Sequence, residues 1–418
     1  MARVFALIDA NSFYCSCEKA FQPALRDRPV VVLSNNDGCA ISRSAEAKAL
    51  GVEMGDAWHL VHRRPELRDV AWFSSNYTLY GDMSRRIFQV LCEHVPHVEP
   101  YSIDEMFLDL TGMPQPIPEL CADLREAVDR ITKIPTCVGA GPTKVIAKLA
   151  NRLAKKDPTM NGVCDLTQES VRAALYPHLP VGAVWGIGRA QEARLQSMGA
   201  NTIADFVRLP ARMVRQAMSV TGARLQAELQ GVSCLPLSET VPSPKGITVS
   251  RSFGRPVDTY SDLREAVCAH MTRAGEKLRV QGLQAETVTV FIMTNPRDTG
   301  PLRYSAQLNR TIEPTSSTFE LIREATTLLN AMWRGGRFYF KAGIMLGGLS
   351  PAGSSNQLLS VRNPRSEAAS KVMDALNARF GRGTVIPLSS GIKRTWSPRS
   401  SMLSRRYTTS IEEMLTVR

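Results

Sequence analysis

Residues 4–10 (VFALIDA) form a short apolar, β-branched run closed by an acidic residue, the pattern of a buried strand whose C-terminal end carries Asp9. A second strand is predicted over 28–33 (RPVVVL), and the turn-forming run Asn35-Asn36-Asp37-Gly38 behind it lets the chain reverse or expose backbone. Residues 45–50 (AEAKAL) read as helix, stopped by Gly51. Residues 84–92 place Ile87, Val90 and Leu91 at helical spacing, and 101–110 (YSIDEMFLDL) alternates like a strand. Between 119 and 133 an amphipathic helix repeats Leu120, Leu124, Ala127/Val128 and Ile131, and 136–140 is again strand. Strands interleaved with amphipathic helices in this order predict an α+β or α/β core.

Residues 179–210 read as two short helices bracketing small hairpins, with Gly186-Ile187-Gly188 at a tight turn that opens a helix, a helix-hairpin-helix pattern. Glycines there let backbone N–H groups at a helix N-terminus face a phosphate; a glycine-rich turn between packed helices is the alternative. Residues 240–246 (TVPSPKG) have linker composition. Beyond them the periodicity predicts strand 247–252, helix 262–280, strands 287–293 and 303–308, helix 319–332 and strand 337–346. That β-α-β-β-α-β order is the split βαβ module, a four-stranded sheet with both helices on one face and the other face free. Arg251, Arg255, Arg303 and Arg310 fall in or beside its strands, so a nucleic-acid backbone is a reasonable guest, an ordinary solvated face being the alternative.

The chain has 418 residues, enough for about three domains. Its 44% hydrophobic and 22% charged composition is that of an ordinary globular protein and needs neither disorder nor a disulfide-stapled mini-fold to explain it. No run of eighteen apolar residues occurs, and residues 1–11 lack the pattern of a signal peptide, so a cytoplasmic protein is expected. Nine cysteines without a C-x-x-C pair point to reduced, mostly buried thiols rather than zinc. His59/His62 and His94/His97, with no cysteine or matching second pair nearby, read as surface or packing histidines. The net charge of +12 calls for a polyanionic partner. It is concentrated at the end: residues 351–418 hold 11 Lys/Arg against 4 Asp/Glu, which marks an interaction arm.

Three carboxylates sit in apolar strand context where an unpaired charge is expensive: Asp9 after VFALI, and Asp104 with Glu105 inside YSIDEMF. Acids on neighbouring strand ends suit two Mg2+ ions in phosphoryl or nucleotidyl transfer, because hard cations take oxygen ligands and keep sites for substrate phosphates. Spacing alone also leaves caps and ion pairs open. Asp109 has the same context and is assigned no role.

Four successive motifs, Asp9-Ala10-Asn11-Ser12-Phe13-Tyr14, Ser102-Ile103-Asp104-Glu105, Gly141-Pro142-Thr143-Lys144 with Lys148-Leu149-Ala150-Asn151, and Trp185-Gly186-Ile187-Gly188, resemble the signatures of Y-family translesion DNA polymerases. Residues 33–39 (LSNNDGC), 73–77 (FSSNY), 250–254 (SRSFG), 376–379 (LNAR) and 381–384 (GRGT) extend the resemblance to the UmuC branch, the catalytic subunits of bacterial DNA polymerase V. It covers essentially the whole chain.

The resemblance implies an α+β multidomain right-hand polymerase. Its parts would be palm (1–20 and 80–167), fingers (21–79), helix-hairpin-helix thumb (168–239), linker (240–246), β-α-β-β-α-β little finger (247–350) and a basic C-terminal region for partners (351–418). Asp9, Asp104 and Glu105, with the Ala10 carbonyl, would hold two Mg2+ ions for template-dependent, error-prone synthesis past lesions. Tyr14 would be the steric gate against a 2'-hydroxyl, with Phe13 in the same floor. Ser42, Lys48 and Lys155 would bind the triphosphate of the incoming deoxynucleoside triphosphate. Several family branches carry Tyr where this chain has Ala45 and Arg where it has Lys48. Lysine is a point charge rather than a planar fork, which brings in Arg43. Small residues Cys39, Ala40 and Ile41 would cover the nascent base pair.

Gly186, Gly188, Arg251 and Arg255 would contact primer-template DNA. A sliding-clamp peptide aligns with Gln357-Leu358-Leu359-Ser360-Val361, which lacks the terminal aromatic anchor. Residues 402–409 resemble the UmuC terminus, for which a processed UmuD' dimer and a RecA filament are the expected partners. This implies an SOS-response enzyme in the cytoplasm, associated with the nucleoid and not with membrane. Two rival readings are a non-catalytic DNA-damage scaffold and a palm-type cyclase that joins nucleoside triphosphates without a template.

Overall fold

The computed structural model describes residues 3–238, 243–354 and 364–416. The chain divides into two compact units: Met1–Ser34 with Gly38–Val241 and Met402–Arg418, and Asn35–Asp37 with Pro242–Ser401. The clamp-like residues Gln357 and Leu358 lie outside the described residues, as do 240–242 of the linker.

Unit one opens with β1 (Phe5–Ala10), buried throughout, and α1 (Phe13–Phe21). A small insertion follows, made of β2 (Val30–Leu33), β3 (Ala40–Arg43), α2 (Ala45–Ala49), α3 (Trp58–Val61) and β4 (Ala71–Ser74). Its strands form a sheet in the order β3-β2-β4, packed on Val31, Leu33, Trp58 and Leu67. Helix α4 (Tyr77–His94), N-capped by the Asn76 side chain, leads to β5 (Val98–Pro100) and β6 (Glu105–Asp109). Then α5 (Ile117–Thr132), β7 (Thr136–Gly141), α6 (Lys144–Lys156) and β8 (Val163–Asp165) complete a five-stranded sheet, β5-β6-β1-β7-β8. Only the β7–β8 pair is parallel.

The position of β1 explains its unbroken apolar run. Ala6, Ile8 and Ala10 face the core built on α4 and α5, while Phe5 and Leu7 meet Phe107 and Ala147 on the other side. A strand covered on both faces needs no polar alternation. Helix α6 lies so close over β7 that a methyl group on Gly139 would stand 1.9 Å from the Asn151 backbone nitrogen. Asn151 donates to the carbonyls of Leu7 (3.1 Å) and Cys137 (2.7 Å), tying the helix to two strands.

Four further helices end this part of unit one: α7 (Glu169–Leu175), α8 (Arg189–Ser197), α9 (Ile203–Arg208) and α10 (Ala211–Leu229). They share a core of Val181, Leu195, Ile203, Phe206 and Val214. Gly188 N-caps α8, and Gly186 adopts φ +93°, a conformation L side chains rarely take.

Unit two contains β9 (Ile247–Val257), α11 (Tyr260–Val280), β10 (Leu283–Thr294), β11 (Ser305–Thr315), α12 (Thr318–Met332), β12 (Tyr339–Pro351) and α13 (Pro364–Phe380). The sheet order is β11-β10-β12-β9, with every neighbouring pair antiparallel, so each helical crossover skips one strand. Leu263, Val267, Met271, Ala274 and Leu278 of α11 are all buried against it. Thr248, Ser250, Thr289, Gln307 and Asn309 share the opposite register positions with Phe291 and Met345, a face that mixes polar and apolar groups. Arg251 does not stand on that face: it lies two residues from each of the buried Val249 and Phe253 and so shares their helix-bearing side. Arg310 pairs in register with buried Val288 and makes an ion pair with Glu324 of α12, so it too belongs to the helix side.

Two further differences from the sequence reading have local causes. The strand predicted from Tyr101 begins only at Glu105. The Ser102 hydroxyl accepts from the N–H groups of Asp104 (3.2 Å) and Glu105 (2.9 Å), closing a turn in place of a ladder. The basic end predicted as an arm is partly packed. Arg279 of α11 pairs with Asp374 of α13, and the last residues return to unit one, where Tyr407 stacks on Phe21 with ring centroids 4.8 Å apart.

Candidate active site at the end of the first strand

Strand pairing brings the three acids to one edge of the sheet. Asp9 lies directly opposite Glu105 in the β1–β6 register, and the Ala10 N–H donates to the Asp104 carbonyl at 2.8 Å. Asp9 is 7% exposed, whereas Asp104 and Glu105 are half-buried. Burial pushes the Asp9 carboxyl up to about 7; Glu105 and Asp104 push the same way, against the pull of Lys155. Lysines hold two of the three acids: Lys155 stands 2.5 Å from Asp9 and Lys148 stands 2.8 Å from Glu105. The Asp104 carboxylate accepts from the Ser102 hydroxyl at 2.6 Å.

Among the described residues, no three His, Cys, Asp or Glu side chains close around one point as a ligand set. The donors nonetheless suit a hard cation: three carboxylates and the Ala10 carbonyl are all oxygen ligands, and the buried Asp9 charge is compensated by a single lysine. A cation there would take the position that Lys155 and Lys148 now neutralise.

Asp9 and Asp104, but not Glu105, line a cleft of about 340 Å3 together with Ala10, Phe13, Tyr14, Ser42, Arg43, Lys48 and Lys155, so most of the sequence-selected residues meet in one place. Ser12, at φ +47°, turns the chain from β1 into α1 and delivers Phe13 and Tyr14 to the cleft floor. Lys48 donates to the Ser12 hydroxyl at 3.1 Å; burial and the neighbouring Arg43 and Lys155 cations lower its pKa. Ser42 donates to the Ser12 carbonyl at 3.3 Å, and Arg43 to the Val52 carbonyl at 2.9 Å. Gly186 and Gly188 sit at the opening of α8 and do not line this cleft, and Arg251 and Arg255 belong to unit two.

Several neighbours escaped the sequence reading. Tyr80 of α4 is fully buried and stacks on Tyr14, centroids 4.6 Å apart and planes 16° off parallel. Its hydroxyl donates to Glu18 of α1 at 2.7 Å. Lys148 also lies over the rings of Tyr101 (4.6 Å) and Trp185 (5.3 Å), joining Glu105 to the glycine-rich turn. The motif containing Lys148 was visible in the sequence, but its ion pair spans 43 residues and has no local signature.

Comparison with known proteins places these features. The impB/mucB/samB family matches residues 8–152 and its C-terminal domain residues 244–359, while a domain of unknown function (DUF4113) matches 367–417. The chain is 40% identical to the protein UmuC of Salmonella typhimurium, over 99% of this chain and 100% of that one. It is 28% identical to DNA polymerase IV 2 of Bacillus subtilis, over 93% of this chain and 94% of that protein. Among solved structures, a Y-family DNA polymerase chimera superposes with a TM-score of 0.68 at 19% identity, covering 83% of this chain and 99% of its own. The fold is therefore a right-hand polymerase with palm, fingers, helix-hairpin-helix thumb and little finger. Full-length identity together with the family matches establishes that the chain belongs to the impB/mucB/samB family, the UmuC-type branch of the Y-family translesion DNA polymerases.

Proposed function

We propose that the chain performs template-dependent, error-prone DNA synthesis past lesions at the end of β1, by nucleotidyl transfer assisted by two Mg2+ ions. The observation that carries this reading is the pairing of Asp9 with Glu105 beside Asp104, at the rim of a cleft floored by Tyr14 and lined by Lys155. Asp9, Asp104, Glu105 and the Ala10 carbonyl would hold the ions. When bound, they supply Lewis-acid activation of the primer 3'-hydroxyl and neutralise the leaving pyrophosphate. Lys155, Lys48 and Ser42, with Arg43 beside them, hold the triphosphate. Lys155 exchanges its Asp9 partner for phosphate oxygens, a charge-assisted contact of comparable strength. Tyr14, seated on Tyr80 and beside Phe13, presents a flat ring to the sugar and excludes a 2'-hydroxyl by contact.

Residues 1–20 and 80–167 act as palm, 21–79 as fingers, 168–239 as thumb, 240–246 as linker, 247–350 as little finger and 351–418 as the partner region. In the thumb turn Gly188 has open backbone suited to a DNA phosphate, since a Cβ built there meets nothing within 4 Å, whereas one at Gly186 would meet Leu225 at 3.3 Å. The hydroxyl and amide groups of Thr248, Ser250, Gln307 and Asn309 on the helix-free face of the unit-two sheet suit sugar and phosphate hydrogen bonds, and Arg255, exposed near the end of β9, would add charge. The UmuC relationship supports action with a UmuD'-like dimer and a RecA filament in the SOS response, on DNA in the cytoplasm. The sliding clamp would be met through Gln357 and Leu358. Among the described residues no helix is long and apolar enough to cross a membrane.

Replacing Asp104→Ala tests the assignment. Mg2+-dependent incorporation is expected to be abolished while primer-template affinity, read by fluorescence anisotropy, stays within about twofold, because the side chain serves chemistry and not DNA contact. Turnover that survives in a preparation free of other polymerases would remove Asp104 from the reaction.

A further inference from the structure

The final stretch of the chain, within the matched domain of unknown function, is fastened to unit one by directional contacts. The Ser74 N–H donates to the Met402 carbonyl at 2.9 Å, and the Met402 N–H donates back to the Ser74 hydroxyl at 3.1 Å. The buried Asn76 amide donates to the Ser404 carbonyl (3.2 Å), the Ser404 hydroxyl (3.0 Å) and the Arg405 carbonyl (3.2 Å). Tyr407 closes the stretch by stacking on Phe21.

Between these anchors the Ser404 hydroxyl donates at 2.9 Å to Glu18, whose same carboxylate oxygen accepts from the Tyr80 hydroxyl at 2.7 Å. Glu18 is fully buried, and its second oxygen has no partner. An acid buried in this way costs stability that an apolar residue would not. What it provides in return is direction: it anchors the hydroxyl end of Tyr80, and the ring of Tyr80 is the seat of Tyr14.

We infer that Ser404, Glu18 and Tyr80 are positioning residues for sugar selection, through which the C-terminal stretch 402–407 holds the Tyr14 ring at the floor of the nucleotide cleft. This rests on the proposed reading of Tyr14 as the gate. The chain of contacts runs from a segment near residue 404 to the first helix of the protein, so an otherwise unassigned terminal element becomes part of nucleotide discrimination.

The test compares incorporation of a deoxynucleotide and the matching ribonucleotide by the full-length chain, under whichever partner conditions give wild-type extension, for wild type, Tyr14→Ala, Tyr80→Phe and Ser404→Ala. Ser404→Ala removes one oxygen from a half-buried side chain and Tyr80→Phe keeps the ring, so both variants retain the packing; thermal midpoints are recorded beside the kinetics. The deoxy-to-ribo ratio of kcat/KM is expected to fall about three- to tenfold in each, the range set by one hydrogen bond, and to fall further in Tyr14→Ala. A ratio unchanged in Ser404→Ala and Tyr80→Phe while Tyr14→Ala lowers it would overturn the positioning role and leave the gate standing. Equal losses with both sugars would overturn it as well, since they mark general loosening. A ratio unchanged in Tyr14→Ala would remove the gate itself, and the positioning role with it.

Discussion

Glu18 is the residue whose electrostatics are easiest to test. Burial lifts its carboxyl to about 7, although hydrogen bonds from Tyr80 and Ser404 pull the other way. The groups around it are Cys15 and Cys17 on its own helix, Tyr80 on α4, and Ser404 and Tyr407 on the terminal stretch; none carries a compensating positive charge. A folded-state pKa raised above the ordinary 4.5 means that the native state binds the extra proton. Its contribution is therefore fully present below about pH 4.5 and lost as pH rises through about 7. Glu18→Gln cannot titrate, so the stability of wild type relative to this variant is expected to decline between pH 5 and pH 8 in urea unfolding. A difference that stays constant over that window would contradict a proton held on Glu18. Asp9 shares the raised direction for the same desolvation reason, but there the surplus charge is what a cation would meet.

At the scale of elements, the site depends on how closely α6 lies over β7. Because a Cβ at Gly139 would enter the backbone of Asn151, Gly139→Ala must push the helix away from the strand that pairs with β1. Overpacking of this kind costs typically about 1–3 kcal/mol, and contact with rigid backbone places this variant at the upper end. Denaturant unfolding should register that loss; a stability within about 0.5 kcal/mol of wild type would mean that the helix has room to spare. Much of this architecture is legible in the sequence. The apolar run of β1, the alternation in unit two and the stripe on α11 follow from periodicity, because each element buries one defined face. The acids were legible as charges stranded in apolar runs. The turn at Ser102 was not, because its hydroxyl competes with the ladder through bonds that strand alternation does not encode. Nor was the Glu18–Tyr80–Ser404 chain, whose partners are separated by 62 and 386 residues and belong to no periodic pattern. Arg251 and Arg310 were placed correctly in or beside strands, yet which face they occupy depended on register, where a one-residue shift reverses every side chain.

On the scale of the whole molecule, two folded units, a cleft bearing acids and lysines and a net charge of +12 describe a protein that works along a polyanion. UmuC-type membership gives that surface its substrate class, and in the cleft the acids Asp9 and Glu105 are each paired with a lysine, Lys155 and Lys148. The terminal stretch adds that the last residues of the chain belong structurally with the first helix and not with a trailing arm. The most direct measurement of lesion bypass at the end of β1 is primer extension across a template abasic site as Mg2+ is titrated. Wild type and Asp104→Ala would be run side by side, each with and without a UmuD'-like dimer and RecA. Mg2+-dependent bypass by wild type that disappears in Asp104→Ala is the expected result, and dependence on the two partners would place the chain in a polymerase V type complex. No extension under any of these conditions, with DNA binding intact, would contradict a catalytic site at these carboxylates and leave a DNA-binding scaffold in its place.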